Sequence, residues 1–150
     1  MRKSRLPEDA PQEFALSGYT ILVVEDDYLQ ASDLADLVRA ERGHVIGPVP
    51  SLNEGLELVR RAEAIHCAVL DIKLGELLVY PLVERLRQQS TPVIFISGYD
   101  QSAIPESFAA IPLCQKPIQA HELRGFMVRA LADRESFRGA GVASGDQRRS

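Results

Sequence analysis

Residues 65–73 read Ile-His-Cys-Ala-Val-Leu-Asp-Ile-Lys. A short apolar run with no polar alternation, stopping abruptly on Asp71, is the pattern of a strand buried on both faces in the middle of a parallel sheet. Such a strand hands its last polar residue to the carboxyl edge of the sheet. In open α/β sheets ligands bind at that edge, in the crevice where the strand order reverses. Asp71 is therefore a candidate functional carboxylate. The competing reading at this point is a loop cap, for which aspartate is equally suited.

Upstream of this stretch, Ser51 and Glu54 form a capping-box pattern ahead of a helix lined by Leu52, Leu56 and Val59. Before it, His44 to Val49 reads as a short strand interrupted by Gly47 and Pro48. The preceding helix starts at Asp27 and carries Leu34, Leu37 and Val38 on one face, with Gly43 placed to end it in a left-handed turn. Thr20 to Val24 is the first β-type run, and it stops at three acids, Glu25, Asp26 and Asp27. Downstream of Asp71, a loop over 72–80 leads to Pro81 in the first turn of a helix bearing Leu82, Val83 and Leu86. Val93 to Ile96 is the fourth strand, closed by Ser97 and Gly98. A weak helical segment between Tyr99 and Ala110 is interrupted by Pro105. Ile111 to Cys114 is the fifth strand, ending in Gln115, Lys116 and Pro117, and Leu123, Phe126, Met127, Ala130 and Leu131 mark the last helix. Residues 1–17 read as a flexible leader, 18–135 as one domain and 136–150 as a disordered tail.

Five strands alternating with five helices imply an α/β, flavodoxin-like fold: a doubly wound five-stranded parallel sheet of order 2-1-3-4-5. Neither a Gly-x-Gly-x-x-Gly nor a Gly-x-x-x-x-Gly-Lys motif makes it a nucleotide-binding variant. The 150 residues, 45% hydrophobic and 25% charged, suffice for one core without disulfides. A net charge of −4 with no clustered Lys and Arg in the central domain argues against a nucleic-acid partner. Cys67 and Cys114 fall in expected strands and read as buried thiols in a reduced compartment. There is neither a secretory signal nor an apolar run of spanning length, so a soluble, cytoplasmic chain away from membranes is expected. His44, His66 and His121 are too scattered to ligate one metal.

Four of the five expected strands end in reactive groups: Glu25 with Asp26, Asp71, Ser97 and Lys116. Taken singly, each has an ordinary explanation as a turn former, a solvated charge or a helix N-terminus matched to the dipole. In the order 2-1-3-4-5 the first and third strands are neighbours, so Glu25, Asp26 and Asp71 meet. Two carboxylates about 5 Å apart repel by about 3 kcal/mol at an effective dielectric near 20. Such a group calls for a cation, and oxygen ligands with room for water suit Mg²⁺. A metal, a central carboxylate, a hydroxyl and an ammonium together describe phosphoryl transfer onto Asp71, giving an acyl phosphate.

The blocks ILVVEDD, VLDIKL, FISGYD and LCQKP resemble the signature blocks of the receiver domain of two-component response regulators, over roughly residues 19–133. The resemblance implies that Glu25 and Asp26 are the acidic pair and Asp71 the phosphoacceptor. It implies that the Lys73 backbone carbonyl completes the Mg²⁺ site, that Ser97 is the switch hydroxyl, and that Lys116 is the lysine followed by a cis Pro117. Asp27 reads as a helix cap rather than a ligand. The implied protein is no enzyme in the usual sense but a bacterial phosphoacceptor and phosphorelay component. It would take its phosphoryl group from a sensor histidine kinase or phosphotransfer protein. As a stand-alone receiver it would signal by contact with a downstream protein target or act as a phosphate sink.

Three departures stand out. Gly75 takes the place of a usual proline, a glycine expected soon after it is missing, and Leu113 replaces the aromatic switch three residues before Lys116. FISGYD is similar to an atypical subgroup with a Phe-Ala-Thr-Gly-Tyr motif, associated with HWE-class kinases. Tyr99, or a disorder-to-order change over 98–110, is then the expected substitute for the ring. The rival readings are a phosphate-independent pseudo-receiver adaptor and an aspartate-based phosphohydrolase. The latter generally needs a second acid where this chain has Lys73.

Overall fold

The structure is a computed structural model that describes residues 15–98 and 101–149, with side chains described for 15–98 and 102–135. Seven strands are found in it: β1 Thr20–Val24, β2 His44–Val49, β3 Cys67–Asp71, β4 Lys73–Leu74, β5 Leu77–Leu78, β6 Val93–Ser97 and β7 Leu113–Gln115. The helices are α1 Tyr28–Ala40, α2 Leu52–Arg61, α3 Tyr80–Gln88 and α4 Ala120–Arg149. Five strands form one parallel sheet in the order β2-β1-β3-β6-β7, and β4 pairs with β5 in a separate antiparallel hairpin. This is the 2-1-3-4-5 arrangement expected from the sequence, with the crossover between β1 and β3.

Why the sheet is doubly wound follows from alternation within its strands. Along β1, Leu22 and Val24 face one core with Leu52, Val59, Leu82, Leu86 and Phe95, supplied by α2, α3 and β6. Ile21 and Val23 face the other, with Leu34, Val38, Leu123, Met127 and Leu131 from α1 and α4. All five residues of β3 are buried, as befits a strand covered on both sides. Cys67 and Cys114 are free and buried, and burial pushes both thiols up to about 12, aided at Cys114 by the Glu122 charge. The packed fold reaches back to Leu16, which is fully buried and donates its N–H to Glu41 O.

Local signals act largely as read. The Asp27 side chain accepts from Gln30 N at 2.9 Å and caps α1. Ser51 accepts from Glu54 N at 3.1 Å and caps α2. Pro81 sits in the first turn of α3. Gly43 differs in its reason: Arg42, with φ of 68°, takes the left-handed turn after α1. Gly43 is there because a Cβ would lie 2.7 Å from Val38 Cγ1.

Two expectations are corrected. Among the described residues there are four α-helices rather than five, because the segment before β7 forms only two 3-10 turns, Gln101–Ala103 and Glu106–Phe108. Pro105, lacking an N–H and fixed in φ, separates them. The stretch after Asp71, expected as a plain loop, folds into the β4–β5 hairpin, pairing Lys73 with Leu78 and Leu74 with Leu77. The expected leader lies mostly outside the described residues, and the expected tail over 136–150 lies beyond the described side chains. Among the described residues no helix is long and apolar enough to cross a membrane.

Candidate functional site

The parallel register brings the strand ends together. Val24 pairs with Leu70 and Asp71 with Ile96, so the chain just past β1, the end of β3 and the end of β6 meet at one edge. On the far side Ser97 pairs with Gln115, and Lys116 N donates to Ser97 O at 2.9 Å, which fixes where the lysine leaves the sheet. The Lys116–Pro117 peptide is cis, as the resemblance to receivers implied.

Glu25 (1% exposed) and Asp71 (5% exposed) are buried, whereas Asp26 is exposed. The three side chains each offer a carboxylate oxygen within 4.8 Å of the others. Lys116 Nζ donates to Asp71 Oδ2 at 3.0 Å and lies 3.3 Å from Glu25 Oε1. Glu25 Oε2 accepts from Asp27 N at 2.9 Å, but its buried Oε1 makes no hydrogen bond. Asp26 Oδ2 accepts the Gly75 N–H at 2.9 Å.

These surroundings set the charges. Burial pushes the Glu25 carboxyl up to about 7; the Asp27 N–H opposes this, the Asp71 charge adds to it and the Lys116 charge opposes it. For Lys116, burial works against the ammonium, yet the hydrogen bond and charge of Asp71, with the charge of Glu25, outweigh it and raise the group above its ordinary value. Three carboxylates facing one ammonium leave negative charge unmatched. A buried carboxylate oxygen without a hydrogen bond, beside two more carboxylates, fits a hard divalent cation with oxygen ligands.

Glu25, Asp26, Asp71, Lys73, Ser97 and Lys116 lie at or just beyond this edge, whereas Leu113 begins its strand and pairs with Phe95. Ser97 ends β6 and is buried. Lys73 begins β4, two residues beyond Asp71, with its side chain exposed. Leu113 is half-buried in β7, and Tyr99 lies outside the described residues. The sequence reading did not find the Gly75 contact to Asp26. Nor did it find the cluster in which Tyr80 stacks on Phe108 at 4.5 Å and meets Phe95 edge-on at 6.0 Å, while Arg87 sits 4.7 Å above the Phe108 ring. α1 and α4 flank a groove of about 960 Å³ in which Leu34, Leu37, Pro117 and Ile118 alternate with charged Asp33, Asp36, Glu41 and Arg124, and Lys116 is also in its lining.

The sequence pattern of the response regulator receiver domain matches residues 21–126, well over half of the chain. This chain belongs to the response regulator receiver family. The receiver's fold is similar to that of the response regulator PhyR from Brucella abortus, with a TM-score of 0.74 and 24% identity over 92% of this chain and 58% of that one. It therefore spans little more than half of that relative. It is also similar to the PhyR receiver domain of Erythrobacter litoralis (TM-score 0.69, 28% identity, 78% of this chain and 92% of that one). A CheY-like receiver protein from Methanospirillum hungatei JF-1 matches with a TM-score of 0.70 and 22% identity, over 79% of this chain and 97% of that one. No curated protein sequence matches. A receiver domain is a signalling domain rather than a typical enzyme, and its acidic pocket typically takes Mg²⁺.

Proposed function

We propose that this receiver accepts a phosphoryl group on Asp71 from a phosphohistidine and passes the signal on by protein contact or drains phosphate from a relay. The observation that carries this reading is the Lys116 ammonium held between Asp71 and Glu25 within a three-carboxylate cluster. In the transfer, an Asp71 oxygen attacks phosphorus and forms an O–P bond. The P–N bond of the donor breaks, and its electron pair stays on the imidazole nitrogen, which takes up a proton. Lys116 balances charge on the phosphoryl oxygens, and the Ser97 hydroxyl donates to one of them. Mg²⁺, held by Glu25, Asp26, Asp71 and the Lys73 carbonyl, would supply the remaining charge neutralisation. Hydrolysis of the acyl phosphate returns the carboxylate and inorganic phosphate.

The donor is a histidine kinase, of the HWE class on the resemblance of FISGYD, or a phosphotransfer protein. The α1–α4 groove serves as its docking surface, because it offers apolar Leu37 and Ile118 between charged residues and has Lys116 in its lining, so that a bound partner lies next to the site. The test is intact mass after incubation of the protein and Asp71→Asn with Mg²⁺ and acetyl phosphate. One added phosphoryl group in the wild type, missing in the variant, supports the reading. No addition makes the chain a phosphate-independent adaptor, and continuous turnover of a phosphate ester makes it a phosphohydrolase.

A further inference from the structure

The β4–β5 hairpin turns through Gly75 and Glu76, between the paired Leu74 and Leu77. Of these two, only Gly75 has positive φ, 63°, the pattern of a type II′ turn with glycine first. In such a turn the hydrogen bond closes between the flanking residues, so the N–H of the first loop residue has no partner within the hairpin. Here that N–H points at Asp26, 49 residues earlier, and donates to Oδ2 at 2.9 Å.

We propose that the Gly75 backbone N–H is a positioning group for the divalent-ion site: by holding Asp26 it ties occupancy of the acidic cluster to the conformation of the β4–β5 hairpin. The inference rests on the ion site described under Proposed function and goes beyond it. Asp26 is the exposed member of the cluster and has the most rotational freedom to lose on binding an ion. One hydrogen bond leaves a carboxylate ample lone-pair capacity for a metal, while fixing its orientation as outer partners of metal ligands do. The same hairpin begins with Lys73, whose carbonyl is the expected further ligand, and ends with Leu77 and Leu78, which are 51% and 49% exposed. An ion drawing on both Asp26 and Lys73 therefore acts on the hairpin from two points, and two exposed leucines move with it. A proline at position 75 would have no N–H to give.

The test uses the full ¹⁵N-labelled chain and MgCl₂, followed through the backbone amides of residues 72–78. In the wild type the Lys73 and Leu78 amides should report one common affinity. Gly75→Asn keeps the N–H, and although the positive φ strains any side chain there, a Cβ meets nothing within 4 Å, so its affinity should fall clearly less than that of Gly75→Pro. Gly75→Pro loses the N–H and, with φ fixed at about −65°, the turn that aims it, and should bind at least about tenfold more weakly; the hydrogen bond itself is read from amide exchange. Independently of any ion, Asp26→Ala should speed hydrogen exchange of the Gly75 amide about fivefold, equivalent to one hydrogen bond. Unchanged exchange in Asp26→Ala, equal affinity in Gly75→Pro, or Mg²⁺ shifts near Asp71 that leave Leu77 and Leu78 unmoved would each overturn the coupling. A wild-type protein with no Mg²⁺ response at all instead removes the ion site on which it rests.

Discussion

Lys116 Nζ donates a 3.0 Å hydrogen bond to Asp71 Oδ2, joining the end of β7 to the end of β3 across the intervening strand β6. A compact ammonium here can follow charge from a carboxylate to a phosphoryl oxygen, which a planar guanidinium cannot do from the same stem. Lys116→Met should slow modification of Asp71 by acetyl phosphate by about 10²-fold, the loss expected for one preorganised electrostatic contact. Lys116→Arg should fail to restore more than a small part of it. Time courses of intact mass at saturating Mg²⁺ measure both, and full activity in the arginine variant would show that any cation suffices.

Glu25 gives the ion-free protein a distinctive pH dependence. Its carboxyl is pushed up to about 7 in the fold, chiefly by burial, against an ordinary 4.5. Between those values the native state holds a proton that the unfolded chain has released, so stability falls as pH rises through that window and this contribution levels off above it. The loss should be at most about 3 kcal/mol, and Glu25→Gln should remove it. Urea midpoints at pH 5 and pH 8 in the presence of a chelator check this. A slope that persists in Glu25→Gln would assign it to other groups.

The site was legible in the sequence because each of its side chains terminates a strand, and strands of this kind announce themselves as apolar runs. Glu25, Asp71, Ser97 and Lys116 needed only the strand order to become neighbours. The contact of Gly75 with Asp26 was not legible, since a backbone N–H belongs to every residue but proline and its aim depends on a turn type that the sequence does not spell out. Leu16 escaped for a related reason: the short run Phe14-Ala15-Leu16 is too brief to show a helix or strand period, yet Leu16 fills a place beside α1 and Gly43. The 3-10 turns before β7 were foreshadowed by Pro105, although the stacking of Phe108 on Tyr80 joins residues whose separation no local pattern encodes.

That stack is expected to hold the second 3-10 turn, Glu106–Phe108, against α3. Phe108 is buried between Tyr80 and Arg87, and Arg87 also donates to Ser107 O at 2.6 Å. Phe108→Ala should destabilise the domain by about 3 kcal/mol through the cavity it leaves. Arg87→Ala should cost about 1 kcal/mol, in keeping with a cation–π contact and a hydrogen bond at a partly exposed position. Denaturant unfolding of the two variants separates them. Equal losses would mean that the ring is held by the arginine rather than by Tyr80.

The groove between α1 and α4 predicts a difference between two kinds of phosphodonor. Leu37 lines it, partly buried, and none of Glu25, Asp26 and Asp71 does, so Leu37→Asp is expected to leave the carboxylates of the site in place. Transfer from a phosphorylated histidine protein should slow at least tenfold, because replacing the apolar contact of Leu37 by a further negative charge costs more than about 1.4 kcal/mol of docking energy. The rate with acetyl phosphate should remain within about twofold, a change worth less than about 0.5 kcal/mol. Parallel slowing with both donors would mean that the substitution disturbs the fold of α1, and an unchanged rate with both would place the docking surface elsewhere.

A receiver with Leu113 in place of a ring needs another element to register phosphate on Asp71. The segment between β6 and β7 is the proposed one: it leaves the sheet directly after Ser97, which is to donate to the phosphoryl group, and returns at Leu113 itself. Any pull on the Ser97 hydroxyl is thus transmitted along a connection made of two 3-10 turns, whose hydrogen bonds are poorer than those of an α-helix and rearrange at lower cost. Backbone relaxation of residues 102–110 should therefore change when Asp71 is phosphorylated, and Ser97→Ala should suppress the change while leaving Asp71 open to phosphorylation. Identical relaxation with and without the phosphoryl group would remove this segment as the switch and leave the β4–β5 hairpin as the element next to Asp71 that can carry the signal.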